Sequence, residues 1–165
     1  RETCMRWILL TLFLAIPFSS SGQTYGQRMV AAVLMGEAWG EGATGMIAVA
    51  EVVRNRAAES GLSPMAVVSS PRQFSCLNGV TLDQLYWKHS KHPDYQKALK
   101  IARMLYNQPR SLGRLTRGAN HFTRVDERPE WSQGRRPVVI IGGHAFYRLE
   151  APSRGSNARN REVKG

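Results

Sequence analysis

Residues 29–56 read MVAAVLMGEAWGEGATGMIAVAEVVRNR, two apolar runs joined by a segment dense in glycine and glutamate. The first run predicts an amphipathic helix over 25–39: no proline occurs and, past Gly26 at its start, no glycine before Gly36, and Val30, Val33, Leu34, Glu37 and Glu41 recur at three- and four-residue spacing. Gly40 and Gly42 break it. Thr44 is placed to cap a second helix, with Met46, Val49, Val53 and Ala57 as its apolar stripe and an end near Gly61. On this reading Glu37 and Glu41 lie one turn apart on the stripe that faces the core. Lost hydration and a nearby helix C-terminus both favour the neutral carboxyl, the form that can donate a proton. Glycines at 36, 40 and 42 let a bulky ligand approach the backbone. The plainer alternative is a helix end whose glutamates are solvated or paired with arginines.

Working outward, a third helix is expected from about Pro93 to Asn107, with Tyr95, Leu99, Ala102 and Tyr106 on one face and Pro109 beyond its end. The segments 63–68 and 81–87 read as short helices and loops. Val138–Ile141 and Ala145–Arg148 flank Gly142-Gly143-His144, which predicts a small hairpin. The fold class is therefore mainly α (α+β), one domain over 22–150. Ahead of it, Arg6, the apolar run Trp7–Ile16, Pro17 and the small residues to Ser21 follow the pattern of a secretory signal peptide. That run is about half the ~20 residues a spanning helix needs. Residues 1–21 are expected to be a signal peptide or N-terminal anchor, giving a periplasmic or secreted protein that meets membrane only through an uncleaved segment. Residues 151–165 are expected to be a basic disordered tail.

The chain has 165 residues, 42% of them apolar and 21% charged, so disorder throughout is excluded. Cys4 and Cys76 cannot form a disulfide framework, and no Cys/His spacing suggests structural zinc. His89 and His92 lack neighbouring carboxylate ligands, so no metal and no cofactor are expected; His121 and His144 read as satisfied structural histidines. A nucleophile-elbow serine and a phosphate-binding glycine loop are both missing, which leaves acyl and phosphoryl transfer without support. With 23 Lys+Arg against 12 Asp+Glu the formal net charge is +11, which favours an anionic polymer as partner. Nucleic acid is not expected, because the leader-like segment and the lack of a basic helix with interleaved aromatics argue against it. Trp39, Tyr86, Trp87, Phe122 and Trp131 supply the flat apolar faces that suit a carbohydrate.

Five blocks in order, AVLMGEAWGE at 32–41, GMIAVAEVVRNR at 45–56, RQFSC at 72–76, GANHF at 118–122 and IGGHAFYR at 141–148, resemble the SleB-type cell wall hydrolases, which include spore cortex-lytic enzymes. The resemblance spans about Met29 to Leu149. It implies a lysozyme-like, transglycosylase-like helical domain acting on peptidoglycan between N-acetylmuramic acid and N-acetylglucosamine. It places the catalytic acid at Glu37 and a supporting role at Glu41; Trp39, Gln73, Asn120, His121 and Phe122 are the substrate contacts expected beside them. Many relatives carry a Thr-x-Tyr-type stretch where this chain has Asn120, His121 and Phe122, so a role played by that hydroxyl is dropped or moves to His121.

Two-carboxylate glycosidases hold their groups about 5–9.5 Å apart across the scissile bond, whereas carboxylates one helical turn apart lie side by side. Single-acid lytic transglycosylation by Glu37 is the better fit. The alternatives are a hydrolytic muramidase that recruits Glu41, Asp83, Asp94, Asp126 or Glu130, and a basic wall-binding module without catalysis.

Overall fold

The computed structural model describes residues 22–150; the expected leader and tail lie outside them. Helix α1 (Tyr25–Ala38) opens with a capping box, Thr24 Oγ1 accepting from Gln27 N at 3.2 Å while the Gln27 side chain accepts from Thr24 N. Residues 29–35 are each no more than 1% exposed. A helix apolar on every side belongs in the centre of a core, and α1 packs against α2 (Gly42–Ser60), α3 (Pro64–Ser69), α4 (Leu82–His89) and α5 (Tyr95–Asn107). Each of its large apolar side chains contributes roughly 1.5–3 kcal/mol by burial.

The two-helix reading of 29–56 stands, with a shift at the joint. α1 ends at Ala38, Trp39–Glu41 forms a 3-10 turn, and α2 starts at Gly42, so Thr44 lies inside α2 rather than capping it. Gly42, at φ +67°, turns the chain into the new helix with no side-chain cap. α2 has two working faces. Met46, Val49 and Val53 join the main core, while Ala48 and Val52 pack with Ala119 and Phe146 under the sheet. α5 is amphipathic as expected, burying Tyr95, Leu99, Ala102 and Leu105.

The hairpin forms from β2 (Val139–Ile141) and β3 (His144–Tyr147), with His144 inside the strand rather than in the turn. A third strand, β1 (His121–Arg124), completes an antiparallel sheet of order β1-β3-β2, with Phe122 opposite Phe146. The sequence reading lacked β1 because four residues ending in Thr-Arg carry too little alternation to stand out; pairing with the fully buried β3 makes it a strand. Among the described residues no helix is long and apolar enough to cross a membrane.

Candidate active site

Glu37 stands in the last turn of α1, half-buried, where the 3-10 turn Ser75–Leu77 crosses the helix. Its Oε1 accepts the backbone N–H of Cys76 at 2.8 Å, and the Ser75 hydroxyl lies 3.3 Å from each carboxyl oxygen. Gly36 permits this crossing: a Cβ there would sit 2.7 Å from Cys76 Cβ. The Cys76 thiol is pushed up first by burial and then by the adjacent Glu37 charge. Both effects favour the protonated thiol over the nucleophilic thiolate.

Glu37 opens onto a cleft of about 530 Å³ between the 72–78 loop and the sheet. Gln73, His121 and Phe122 line the same cleft, so the structure brings together four of the residues expected from sequence. Arg56, His144, Trp131 and Glu127 join them on its walls. Arg56 is lowered to about 10, chiefly by burial, and is charged at neutral pH. Its Nε donates to Asn120 O at 2.6 Å and its guanidinium lies over the Phe74 ring. His121 packs against Trp131 with ring centroids 5.3 Å apart. Its Nδ1 is 3.0 Å from Asn120 Oδ1, an oxygen that can only accept, so the proton sits on Nδ1 and Nε2 is left as an acceptor. Burial, then the charge of Arg56, lowers the His121 pKa and holds the ring neutral.

Two expected contact residues lie off the cleft lining. Asn120 is 3% exposed and absent from the cleft wall. Its amide donates to Glu59 and to Leu149 O, and its oxygen accepts from Leu149 N at 2.8 Å, which ties β1 to the chain leaving β3. Trp39 also lies off the cleft lining. The helix has already given way to the 3-10 turn at that point, and the indole Nε1 donates to Asp94 Oδ2 at 3.2 Å with its ring edge-on to His92.

The glutamates do not lie side by side. Glu41, at the end of the 3-10 turn, points to the β2–β3 turn, where its Oε1 accepts from Gly143 N at 2.8 Å. His144 Nδ1 also lies 2.9 Å from that oxygen, off the line of a good hydrogen bond. Gly142 and Gly143 make room for the carboxyl: a Cβ on Gly142 would lie 2.7 Å from Oε2. His144 in turn stands edge-on to Phe122 on the cleft wall. Glu41 is therefore held against the hairpin, off the cleft lining itself.

None of the carboxylates considered as partners for Glu37 lines the cleft; Glu127, which the sequence reading missed, does. Asp83 bonds the Tyr25 hydroxyl, Asp94 the Trp39 indole and Lys97, and Asp126 the Arg124 guanidinium. Glu127 accepts from Thr123 Oγ1 at 3.2 Å. The signal that points to it is its place just after the GANHF block, on the return from β1. Arg56 has a comparable signal in the second arginine of the RNR triplet.

Residues 40–147, more than half the chain, match the family model described as Cell Wall Hydrolase. Glu41, Gln73, the 120–122 segment and His144 fall inside that match, and Glu37 stands just before its start. No curated protein and no solved structure matches.

Proposed function

The chain belongs to the cell wall hydrolase family, whose members degrade peptidoglycan, and on that premise we propose that it cuts the glycan strand between N-acetylmuramic acid and N-acetylglucosamine by lytic transglycosylation at Glu37. The observation that carries this reading is the anchoring of Glu37 at the cleft: the Cys76 N–H holds Oε1, while Oε2 has only the movable Ser75 hydroxyl. A carboxyl fixed on one oxygen presents the other in one direction, which is the pre-organisation proton transfer requires.

Protonated Glu37 donates to the glycosidic oxygen as the bond from the muramic C1 to that oxygen breaks, and the glucosamine unit leaves with its hydroxyl restored. The carboxylate then takes the proton of the muramic C6 hydroxyl as that oxygen bonds to C1. The product is a 1,6-anhydromuramic end, and no water is consumed. Trp131 and Phe122 offer apolar faces for the sugar rings, and His121 Nε2 accepts from a sugar hydroxyl.

Glu127 favours a second reading. A carboxylate on the same cleft wall is the partner a hydrolytic muramidase needs to position water. Digestion of purified peptidoglycan by residues 22–165 and by Glu37→Gln, with mass analysis of the muropeptides, tests both. Products one water lighter than reducing-end muropeptides, formed only by the wild type, support transglycosylation. Reducing ends that also require Glu127 replace it with hydrolysis. Retained binding and absent cleavage in both proteins turn the reading to a wall-binding module. Export to the periplasm or beyond belongs to the same proposal, and N-terminal sequencing of the exported protein tests cleavage after Ser21.

A further inference from the structure

A second cavity, about 740 Å³, lies between the C-terminal half of α2, the turn after α5 and the 113–118 loop, and shares no lining residue with the Glu37 cleft. Arg54, Arg110, Arg114, Arg117 and Arg148 line it, with no Asp, Glu or Lys among its walls. Among the described residues Arg110, Arg114, Arg117 and Arg148 make no ion pair, and each is exposed. Arg54 is held as a fixed post, its Nη1 donating to Pro109 O and Gly113 O at 3.2 and 2.8 Å. The nearby acid, Glu51, is fully buried, bonded to Leu115 N, Thr116 N and Thr116 Oγ1, and 3.9 Å from Arg54 Nη2, so its single charge offsets Arg54 and leaves the other four arginines unpaired among the described residues.

The backbone adds an independent sign. Arg117 sits at φ +51°, directly before Gly118 at φ +82°. Glycine or asparagine adopts that left-handed conformation more cheaply. Among the described residues just one other non-glycine does so, Arg72, and it lines the catalytic cleft.

We propose that this groove binds an anionic polymer carrying repeated phosphate groups, and so holds the enzyme on the cell envelope apart from its catalytic cleft. Guanidinium forks grip phosphate oxygens bidentately, and one phosphate accepts from more than one fork, which matches several arginines on one concavity better than isolated carboxylates do. A membrane surface fits poorly, because a concave wall whose sole apolar ring is Pro109 has nothing to insert between lipids. Nucleic acid fits poorly as well: the groove has no aromatic platform, and the Asn55 amide that would read a base is committed to Ala119 O at 2.7 Å. The inference leaves the chemistry at Glu37 untouched and rests on the cell-wall reading only for where such a polymer is met.

The test is binding of labelled poly(glycerol phosphate) at about 0.15 M salt, with polyglutamate, single-stranded DNA and phosphatidylglycerol vesicles as competitors. The wild type should bind the phosphate polymer at least about tenfold more tightly than any competitor. R110Q/R114Q/R148Q should lose about tenfold or more, and R110K/R114K/R148K should fall between, keeping charge but losing the fork. Unchanged binding by the glutamine variant, or equal binding of polyglutamate, DNA or vesicles by the wild type, overturns the proposal. Digestion of soluble glycan fragments by both variants should match the wild type, so a failure here is distinct from a failure of the Glu37 reading.

Discussion

The backbone N–H of Cys76 donates to Glu37 Oε1 at 2.8 Å across 39 positions of sequence. That bond sets the proposed acid against the cleft, and it survives replacement of the carboxyl by an amide, whose oxygen still accepts. Glu37→Gln should therefore lower turnover on peptidoglycan by about 10²-fold or more, with a melting temperature close to wild type. Residual activity near the wild-type rate would remove Glu37 from the chemistry.

Gly36 is the residue that lets the Ser75–Leu77 turn close over α1. In Gly36→Ala the new methyl meets Cys76 Cβ at 2.7 Å and Sγ at 2.9 Å, so the turn must move and carry its N–H away from Glu37. Stability should fall by about 1–3 kcal/mol, as overpacking does, and turnover should fall more than substrate affinity. Steady-state kinetics on solubilised glycan strands, beside a thermal melt, separates the two effects.

The Glu41 clamp on the hairpin depends on Gly142, whose φ is +56° and whose Cβ, if present, would lie 2.7 Å from Glu41 Oε2. Gly142→Ala adds a backbone cost of roughly 1–2 kcal/mol to that clash. A drop of several degrees in melting temperature is expected. The turn displaces His144, so substrate binding should weaken as well, which equilibrium binding of glycan fragments to the variant reports.

Glu51 is 0% exposed and accepts two backbone N–H groups and one hydroxyl from the 115–116 segment. Glu51→Ala leaves the two Thr116 donors buried and unpaired, and should cost about 2–5 kcal/mol. Thr116→Val removes one bond and should cost about 1 kcal/mol. Denaturant unfolding of the two variants measures the ratio.

The lowered pKa values of His121 and His89, each caused first by burial, give stability a pH dependence. The unfolded chain takes up protons near pH 6.5 while the folded rings stay neutral, so the unfolded state binds more protons below that pH. Stability should be full above about 6.5 and decline as pH falls toward the lowered folded values. In His121→Gln the decline should be shallower, read from melting temperatures between about pH 7.5 and 5; an identical slope would mean His121 titrates alike in both states.

The helical frame was legible because its signals are local. The apolar run of α1, the glycine breaks after Glu37, the stripe of α5 and the Gly142-Gly143 turn act over a few residues, and the five ordered blocks pointed to the family before any contact was known. The assembly of the cleft was decided by contacts far apart in sequence. The crossing of Cys76 over Gly36 aims Glu37 into the cleft, the bond from Gly143 draws Glu41 away from it, and the pairing of β1 with β3 places His121, Phe122 and Glu127 on its wall. Trp39 and Asn120 lie off the cleft lining for the same reason: residue type marks a side chain as able to meet a sugar, but long-range contacts decide which wall it stands on.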